Sequence, residues 1–173
     1  GKQIVMALGA WSPKIARHLH LRLPIQPGKG YSITTSLPDP APQRPLVLRE
    51  PGVCVTTWPS GFRLGSTMEF AGYDDSLNRT RLDALRRGAQ AYLRAPFGDE
   101  LREEWWGWRP MCVDEVPLIG PAFSRWHNLL LATGHGMLGV SMCAATGELI
   151  AAFICGTPTA LDPRPYMPTR FGL

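Results

Sequence analysis

The sequence lacks the residue patterns of several common kinds of active site. Its four cysteines and four histidines form neither a CxxC pair nor a metal-ligand spacing, and no histidine has a matched serine or cysteine nucleophile. It has no phosphate-binding loop of the GxxxxGK type and no run of lysine or arginine, so the net charge of +4 is a weak indication of nucleic-acid binding. An enzyme of this composition would rely on a cofactor for its chemistry.

Export and membrane-anchoring segments are also missing. Residues 1–8 lack the charged start and long apolar core of a secretory signal, which predicts a cytoplasmic protein, with peripheral attachment to the inner membrane as an alternative. Residues 137–154 approach transmembrane length, but they contain Glu148 and many small side chains and therefore predict a helix buried in protein. The cysteines are expected to be small buried residues in a reducing compartment.

The most informative stretch is a strand–turn–helix unit near the C-terminus. The turn between the apolar strand and the helix reads Gly134-x-Gly136-x-x-Gly139, which matches the dinucleotide-binding fingerprint. The proline-rich segment that follows Ile154 cannot supply the second strand of a βαβ unit, so the helix closes a fold. The amides at its N-terminus still predict a site for a hydrogen-bond acceptor, with a tight turn and close helix packing as the alternative.

The beginning of the chain has a similar pattern. Residues 4–8 predict a buried parallel strand, Gly9 begins a turn, and a helix is expected from Ser12, with Pro13 at its first position, to about Leu19. Because a central parallel strand needs partners on both sides, neighbouring strands are expected upstream of this sequence.

Between these two ends the sequence predicts mainly antiparallel strands. Residues 23–30 are expected to be a connector, and the predicted strands cover residues 31–35, 46–49, 53–58 and 62–68. Asn78 is predicted to cap a helix that continues to about Leu93, with Leu82, Leu85 and Ala89 on its apolar side.

A further strand, residues 103–111, combines arginine with tryptophan. Alternation along the strand would put Trp105, Gly107 and Arg109 on one face and the other two tryptophans on the opposite face. Gly107 would leave a gap beside Arg109, whose guanidinium can bind a carboxylate through two parallel hydrogen bonds. An ion pair with Glu103 or another acid is the alternative.

Five motifs in this order resemble the C-terminal portion of the FAD-dependent D-amino-acid dehydrogenase/oxidase family, and in particular the bacterial D-amino-acid dehydrogenases. The resemblance covers nearly the whole sequence. The motifs are Ala7-Leu8-Gly9-Ala10-Trp11-Ser12, Pro24-Ile25-Gln26-Pro27-Gly28-Lys29-Gly30-Tyr31-Ser32, Gly65-Ser66-Thr67-Met68-Glu69-Phe70, Trp105-Trp106-Gly107-Trp108-Arg109-Pro110-Met111 and Gly134-His135-Gly136-Met137-Leu138-Gly139.

The resemblance implies an α+β fold with a mostly antiparallel substrate-domain sheet and flanking helices. A strand and helix at each end would belong to a Rossmann-type FAD domain. Residues 1–22 and 128–155 would be pieces of that domain, residues 23–127 the substrate-binding domain and residues 156–173 an extended tail. The family's N-terminal FAD fingerprint is missing, so an upstream FAD-binding region is expected to be needed for tight binding of the cofactor.

The same resemblance implies the site residues. Arg109 corresponds to the arginine that holds the substrate carboxylate, and the other substrate-binding candidates are Trp105, Gly107 and Tyr31, with core packing as the alternative for Tyr31. The candidates for binding FAD lie in two turns: Gly9, Ala10 and Trp11, followed by Gly134, His135, Gly136, Met137, Leu138 and Gly139. No catalytic side chain and no metal are expected.

The implied reaction is hydride transfer from a D-amino acid to FAD, which gives a 2-oxo acid and ammonia. The expected partners are the D-amino acid and the missing N-terminal FAD-binding region; nucleic acid is not expected, a homodimer is compatible with the sequence, and the electron acceptor is undetermined. An oxidase of sarcosine or another secondary amine and a non-catalytic partner-binding module are the alternatives. Cys54 and Met137 stand where some oxidase relatives have Tyr and Arg, which argues against the glycine-oxidase branch.

Overall fold

The computed structural model describes residues 2–122 and 126–173, and the chain divides into two compact units. The first unit contains Gly1–Gly28 and Arg109–Leu173, and the second contains Lys29–Trp108. The strands are β1 Ile4–Met6, β2 Ile25–Thr35, β3 Leu46–Leu48, β4 Val53–Trp58, β5 Gly61–Gly65, β6 Leu101–Cys112, β7 Leu118–Pro121 and β8 Leu129–Thr133. The α-helices are α1 Ser12–His18, α2 Arg79–Gln90 and α3 Gly139–Cys155.

The first unit is built on a three-stranded sheet in the order β1-β8-β7. β1 lies parallel to β8, with Ile4 opposite Leu129, whereas β7 is antiparallel to β8, with Leu118 opposite Thr133. This pairing brings the strands of the two ends of the sequence together, as their predicted membership of one domain requires. The assignment of these strands, and of the boundaries at residues 22, 127 and 155, to an FAD domain stays a prediction.

α3 covers one face of this sheet with only one of its sides. Leu149 and Ile150 pack against Ile119 and Leu130 of the sheet, but Val140 is 90% exposed and Ile154 is 46% exposed. The predicted buried helix is therefore buried on only one side within this chain. Within the described part of the chain, no helix is both long and apolar enough to span a bilayer.

The cysteines differ from one another in exposure. Cys112 is buried and Cys54 is half-buried, whereas Cys143 and Cys155 are exposed on α3, and all four are free thiols. The prediction that each cysteine is buried is therefore wrong for Cys143 and Cys155, because both lie on the exposed side of α3.

The second unit is a five-stranded sheet in the order β3-β4-β5-β2-β6 with α2 against one face. The pairs β3–β4, β4–β5 and β5–β2 are antiparallel. Alternate apolar residues of the strands point to the core, where they meet the apolar side of α2. The members of this core include Tyr31, Ile33, Val53, Val55, Phe62, Leu64, Leu82, Leu85 and Ala89.

Two features of this sheet and its helix can be compared with the predictions made from the sequence. Asn78 caps α2 as predicted, because its side chain accepts a hydrogen bond from the Thr80 amide at 3.1 Å. β2 begins at Ile25, inside the segment predicted to be a connector. The backbone of Lys29 exchanges two hydrogen bonds with Glu69, at 2.8 and 2.9 Å, so the early part of β2 finds a partner that local sequence does not reveal.

Gly88 of α2 gives a testable consequence of this packing. A Cβ at Gly88 would lie 2.8 Å from both Pro51 Cβ and Val53 Cγ2, which is closer than packed carbon atoms approach. We expect Gly88→Ala to lower the free energy of unfolding by about 1–3 kcal/mol, measured by urea denaturation. Gly147→Ala on α3 is the control, since among the described residues no atom outside its own helix backbone and chain neighbours lies within 4 Å of the added methyl group. Equal stability of the two variants would contradict the packing argument.

Candidate active site

Two glycine turns lie at the same edge of the first unit's sheet. A 3-10 turn, Gly9–Trp11, follows β1, and the turn that begins at Gly134 follows β8. Because β1 and β8 are parallel, their carboxyl ends point the same way, and ligands of α/β sheets bind outside such ends. The Thr133 hydroxyl lies 2.8 Å from the Ser12 hydroxyl and donates to the Gly9 carbonyl at 3.1 Å, which fastens the two turns to each other.

The second turn leads into an uncapped helix. Leu138 occupies the N-cap position of α3 and makes no side-chain cap hydrogen bond. The first backbone amides of α3 therefore receive no acceptor from the N-cap side chain. The positive end of the helix dipole lies beside them. Met137 and Leu138 are 65% and 59% exposed at this end. The arrangement offers hydrogen-bond donors next to apolar surface, which suits a planar ring that carries hydrogen-bond acceptors.

The strand end that carries Arg109 lies against this turn. The Gly136 amide donates to the Pro110 carbonyl at 2.9 Å, and Met111 forms an antiparallel bridge with His135. Arg109 directly precedes Pro110 and is half-buried. Within the first unit, the structure therefore brings the predicted carboxylate-binding arginine and the predicted flavin-facing turn into the same region.

His135 has its ring directed to α3. Its Nε2 atom lies 2.9 Å from the Thr146 hydroxyl, and burial lowers the pKa of the imidazole. The neutral form is therefore favoured at neutral pH, and His135 holds the turn against the helix instead of adding a positive charge to it.

Tyr31 of the second unit occupies the position of a core residue. It is 1% exposed, and its hydroxyl donates to Glu69 Oε2 at 2.5 Å, while Asn78 donates to the other oxygen of the same carboxylate. Burial, together with Glu69, raises the pKa of Tyr31. This environment favours the core-packing alternative for Tyr31 over a place in the wall of a pocket.

The gap predicted above Gly107 is occupied by a side chain. A Cβ at Gly107 would come within 2.5 Å of Cη2 of Trp105, so the indole of Trp105 lies over the glycine. The prediction of an open gap is corrected accordingly: the missing side chain makes room for this ring. Trp106 and Trp108 pack against each other with their ring centroids 4.9 Å apart. Glu103 accepts a hydrogen bond from Arg63 at 3.0 Å.

Arg170, near the C-terminus, forms an ionic cluster that the sequence did not reveal. Its Nε and Nη2 atoms donate to the two oxygens of Asp114 at 2.8 and 3.3 Å, and Nη2 also donates to the Val116 carbonyl at 2.6 Å. Nη1 donates to the Pro117 carbonyl at 3.3 Å. The guanidinium holds the pKa of the Asp114 carboxyl well below its usual range. We call this arrangement the Arg170 clamp; it fixes the turn between β6 and β7.

The clamp predicts a pH-dependent contribution to stability. Asp114 has a depressed pKa in the folded protein, so its contribution is complete above the unfolded pKa of about 4 and is lost as the pH falls toward the folded value. We expect Asp114→Asn to lower the free energy of unfolding at pH 7 by about 1 kcal/mol, a value reduced for the partial exposure of the pair. In urea titrations, the difference from wild type should shrink below about pH 4. A difference that is the same at pH 7 and pH 3 would exclude the ion pair as its cause.

Comparison with known proteins identifies the family. Residues 1–153 match the family described as "FAD dependent oxidoreductase", the DAO family. The chain belongs to this family. FAD is accordingly its cofactor, and the uncapped α3 N-terminus and the two linked glycine turns fit such a group. The predicted resemblance and the α+β fold class are both confirmed.

The relatives are longer than this chain. It is 38% identical to a D-amino acid dehydrogenase of Chromohalobacter salexigens over 165 residues, which cover 92% of this chain and 38% of the relative. It is 34% identical to a D-amino acid dehydrogenase of Rhizobium johnstonii, covering 98% of this chain and 40% of the relative. The crystal structure of glycine oxidase from Geobacillus kaustophilus superposes with a TM-score of 0.84 at 26% identity, covering 97% of this chain and 45% of the oxidase.

Proposed function

We propose that the flavoprotein containing this chain is a D-amino-acid dehydrogenase, and that the chain contributes the substrate-carboxylate arginine and the turn that contacts the flavin ring. The 2.9 Å hydrogen bond from the Gly136 amide to the Pro110 carbonyl carries this proposal, because it joins the strand end bearing Arg109 to the glycine turn. The names of the curated relatives, which are 34–38% identical, support the D-amino-acid substrate.

In this proposal Arg109 binds the α-carboxylate of the substrate and orients it. The planar guanidinium can make two parallel, charge-assisted bonds, which fix both the position and the rotation of a carboxylate. Holding the α-carbon in a reactive orientation removes much of the entropic part of the barrier. Trp105 and Gly107 stay candidates for the substrate region, with the Trp105 indole lying over the glycine.

The two glycine turns would hold the cofactor. Amides at the start of α3 can stabilise negative charge on the ring system, and the turn formed by Gly9, Ala10 and Trp11 would contact another part of FAD. Bound FAD supplies the hydride acceptor, and the imine released from the substrate hydrolyses to a 2-oxo acid and ammonia. No side chain of this chain is assigned as a base, because a neutral bound amine needs no proton removed by the protein.

The substrate class can be tested on the complete flavoprotein. We expect D-amino acids to reduce the bound flavin under anaerobic conditions and to support reduction of an artificial dye, with 2-oxo acid and ammonia formed in equal amounts. The matching L-amino acids serve as the control. Flavin that stays oxidised with every D-amino acid tested would reject the proposal.

A second candidate is oxidation of glycine or of a secondary amine such as sarcosine. The likeness to glycine oxidase, with a TM-score of 0.84, favours this candidate, whereas Cys54 and Met137 argue against the glycine-oxidase branch. An oxidase would consume oxygen and form hydrogen peroxide with these substrates, whereas the proposed dehydrogenase would prefer the dye as electron acceptor. Measuring oxygen consumption with glycine, sarcosine and D-alanine separates the two functions.

A further inference from the structure

We propose that Arg170 is a positioning residue for the flavin-facing turn, because it holds the segment against which Gly134 rests. This inference rests on the proposed role of residues 134–139 in contacting FAD. Arg170 itself is assigned no contact with substrate or cofactor.

The Arg170 clamp uses the guanidinium on several sides at once. Besides Asp114 and the carbonyls of Val116 and Pro117, it donates to the Met167 carbonyl at 3.2 Å and reaches Cys112 Sγ at 3.8 Å. The ring of Phe171 lies 4.7 Å from the guanidinium carbon. Such a cluster of acceptors suits the fixed fork of arginine and cannot be reproduced by the single ammonium group of lysine.

The clamped segment forms the surface beneath Gly134. A Cβ built on Gly134 would lie 3.5 Å from Cys112 Cβ and 3.5 Å from the Leu118 amide nitrogen, the residues at the two ends of the clamped turn. Leu118 also pairs with Thr133 across the β7–β8 ladder. Any shift of residues 112–118 would therefore move the residue from which the glycine turn starts.

The same segment is continuous with the strand end that bears Arg109. Met111 bridges His135 within the glycine turn, and Cys112, its neighbour, contacts the guanidinium of Arg170. Release of the clamp would thus affect the direction of the turn's amides and the position of the Arg109 strand end together. Because Asp114 neutralises the charge of Arg170, the clamp acts through geometry instead of through a long-range field.

The test uses the FAD-loaded flavoprotein with Arg170→Met, Arg170→Lys and Asp114→Asn. We expect Arg170→Met to raise the Kd for FAD at least tenfold and to make the midpoint potential of the flavin more negative, because the donors are less well directed at the reduced ring. Arg170→Lys should fall between Arg170→Met and wild type. Arg164→Met is the matched control, since Arg164 lies in the same tail, is highly exposed and pairs with Asp162 two residues away. It should leave both quantities unchanged.

Stability and positioning are separated by the choice of measurements. If Arg170→Lys and Asp114→Asn lower the Tm but keep the wild-type Kd for FAD, midpoint potential and KM, the clamp is only structural and the inference is overturned. Arg170→Lys retains the positive charge, and Asp114→Asn retains the arginine. These two variants therefore test the positioning role of Arg170 even if Arg170→Met fails to fold. If D-amino acids do not reduce the wild-type flavin, the proposed substrate is wrong, but the FAD affinity and potential still decide the role of Arg170.

Discussion

Replacing Arg109 with methionine should raise the KM for D-amino acids by about two to three orders of magnitude. Removing one partner of a hydrogen-bonded charge pair costs about 2–5 kcal/mol, and each 1.4 kcal/mol corresponds to a factor of about ten. FAD should stay bound, because the cofactor-binding candidates lie in the two glycine turns. Steady-state kinetics with D-alanine, combined with the absorbance spectrum of the purified variant, measures both expectations.

A matched variant controls for loss of a positive charge on the same strand. Arg102 also lies in β6, is partly exposed and pairs with Glu100 at 3.5 Å, so Arg102→Met should change the KM less than twofold. Arg109→Lys should recover part of the loss, because lysine keeps the charge but not the bidentate geometry. A KM for Arg109→Met equal to that of the wild type would remove Arg109 from the substrate site.

Replacing Gly134 with alanine should weaken FAD binding about tenfold or more. Gly134 has φ +82°, a left-handed conformation that costs an L-residue about 1–2 kcal/mol. The added methyl group would also lie 3.3 Å from Ile25 Cδ1 and 3.5 Å from Cys112 Cβ. The turn must therefore shift, and its amides lose their alignment. Equilibrium titration of the apoprotein with FAD, followed by flavin fluorescence, measures the change.

Gly156 is the control that separates backbone strain from crowding. It has φ +66° at the C-terminal end of α3, and in the described part of the chain no atom beyond its chain neighbours lies within 4 Å of an added methyl group. Gly156→Ala should destabilise the protein by a similar backbone cost while leaving the Kd for FAD unchanged. If both variants bind FAD as tightly as wild type, the turn at Gly134 does not set the position of flavin-binding groups.

Local patterns in the sequence predicted the main elements of the fold. The cap at Asn78, the apolar side of α2 and the two strand–turn–helix units could be found because each depends on residues close together in sequence. The apolar pattern of β1 and β8 indicated only that each strand needs partners, and their parallel pairing became visible in the structure. The five motifs then identified the family, which the family match confirms.

Features that depend on distant contacts could not be read from the sequence. The start of β2 depends on Glu69, the Trp105 ring takes the space above Gly107, and α3 buries only one side. Arg170 reaches Asp114 across 56 positions, and nothing in the spacing of these residues distinguishes the pair from the other arginines and acids. The substrate and cofactor contacts of the candidate residues stay predictions.

Strand β1 lies at the edge of the three-stranded sheet, and its exposed edge affects how the isolated chain would behave in solution. Within the described residues, β1 pairs only with β8, and Ile4 and Val5 are 51% and 39% exposed. The free amides and carbonyls of such a strand, bordered by aliphatic side chains, form a template on which another molecule can add a strand. A preparation of these 173 residues alone would therefore have a tendency toward intermolecular β-pairing along β1.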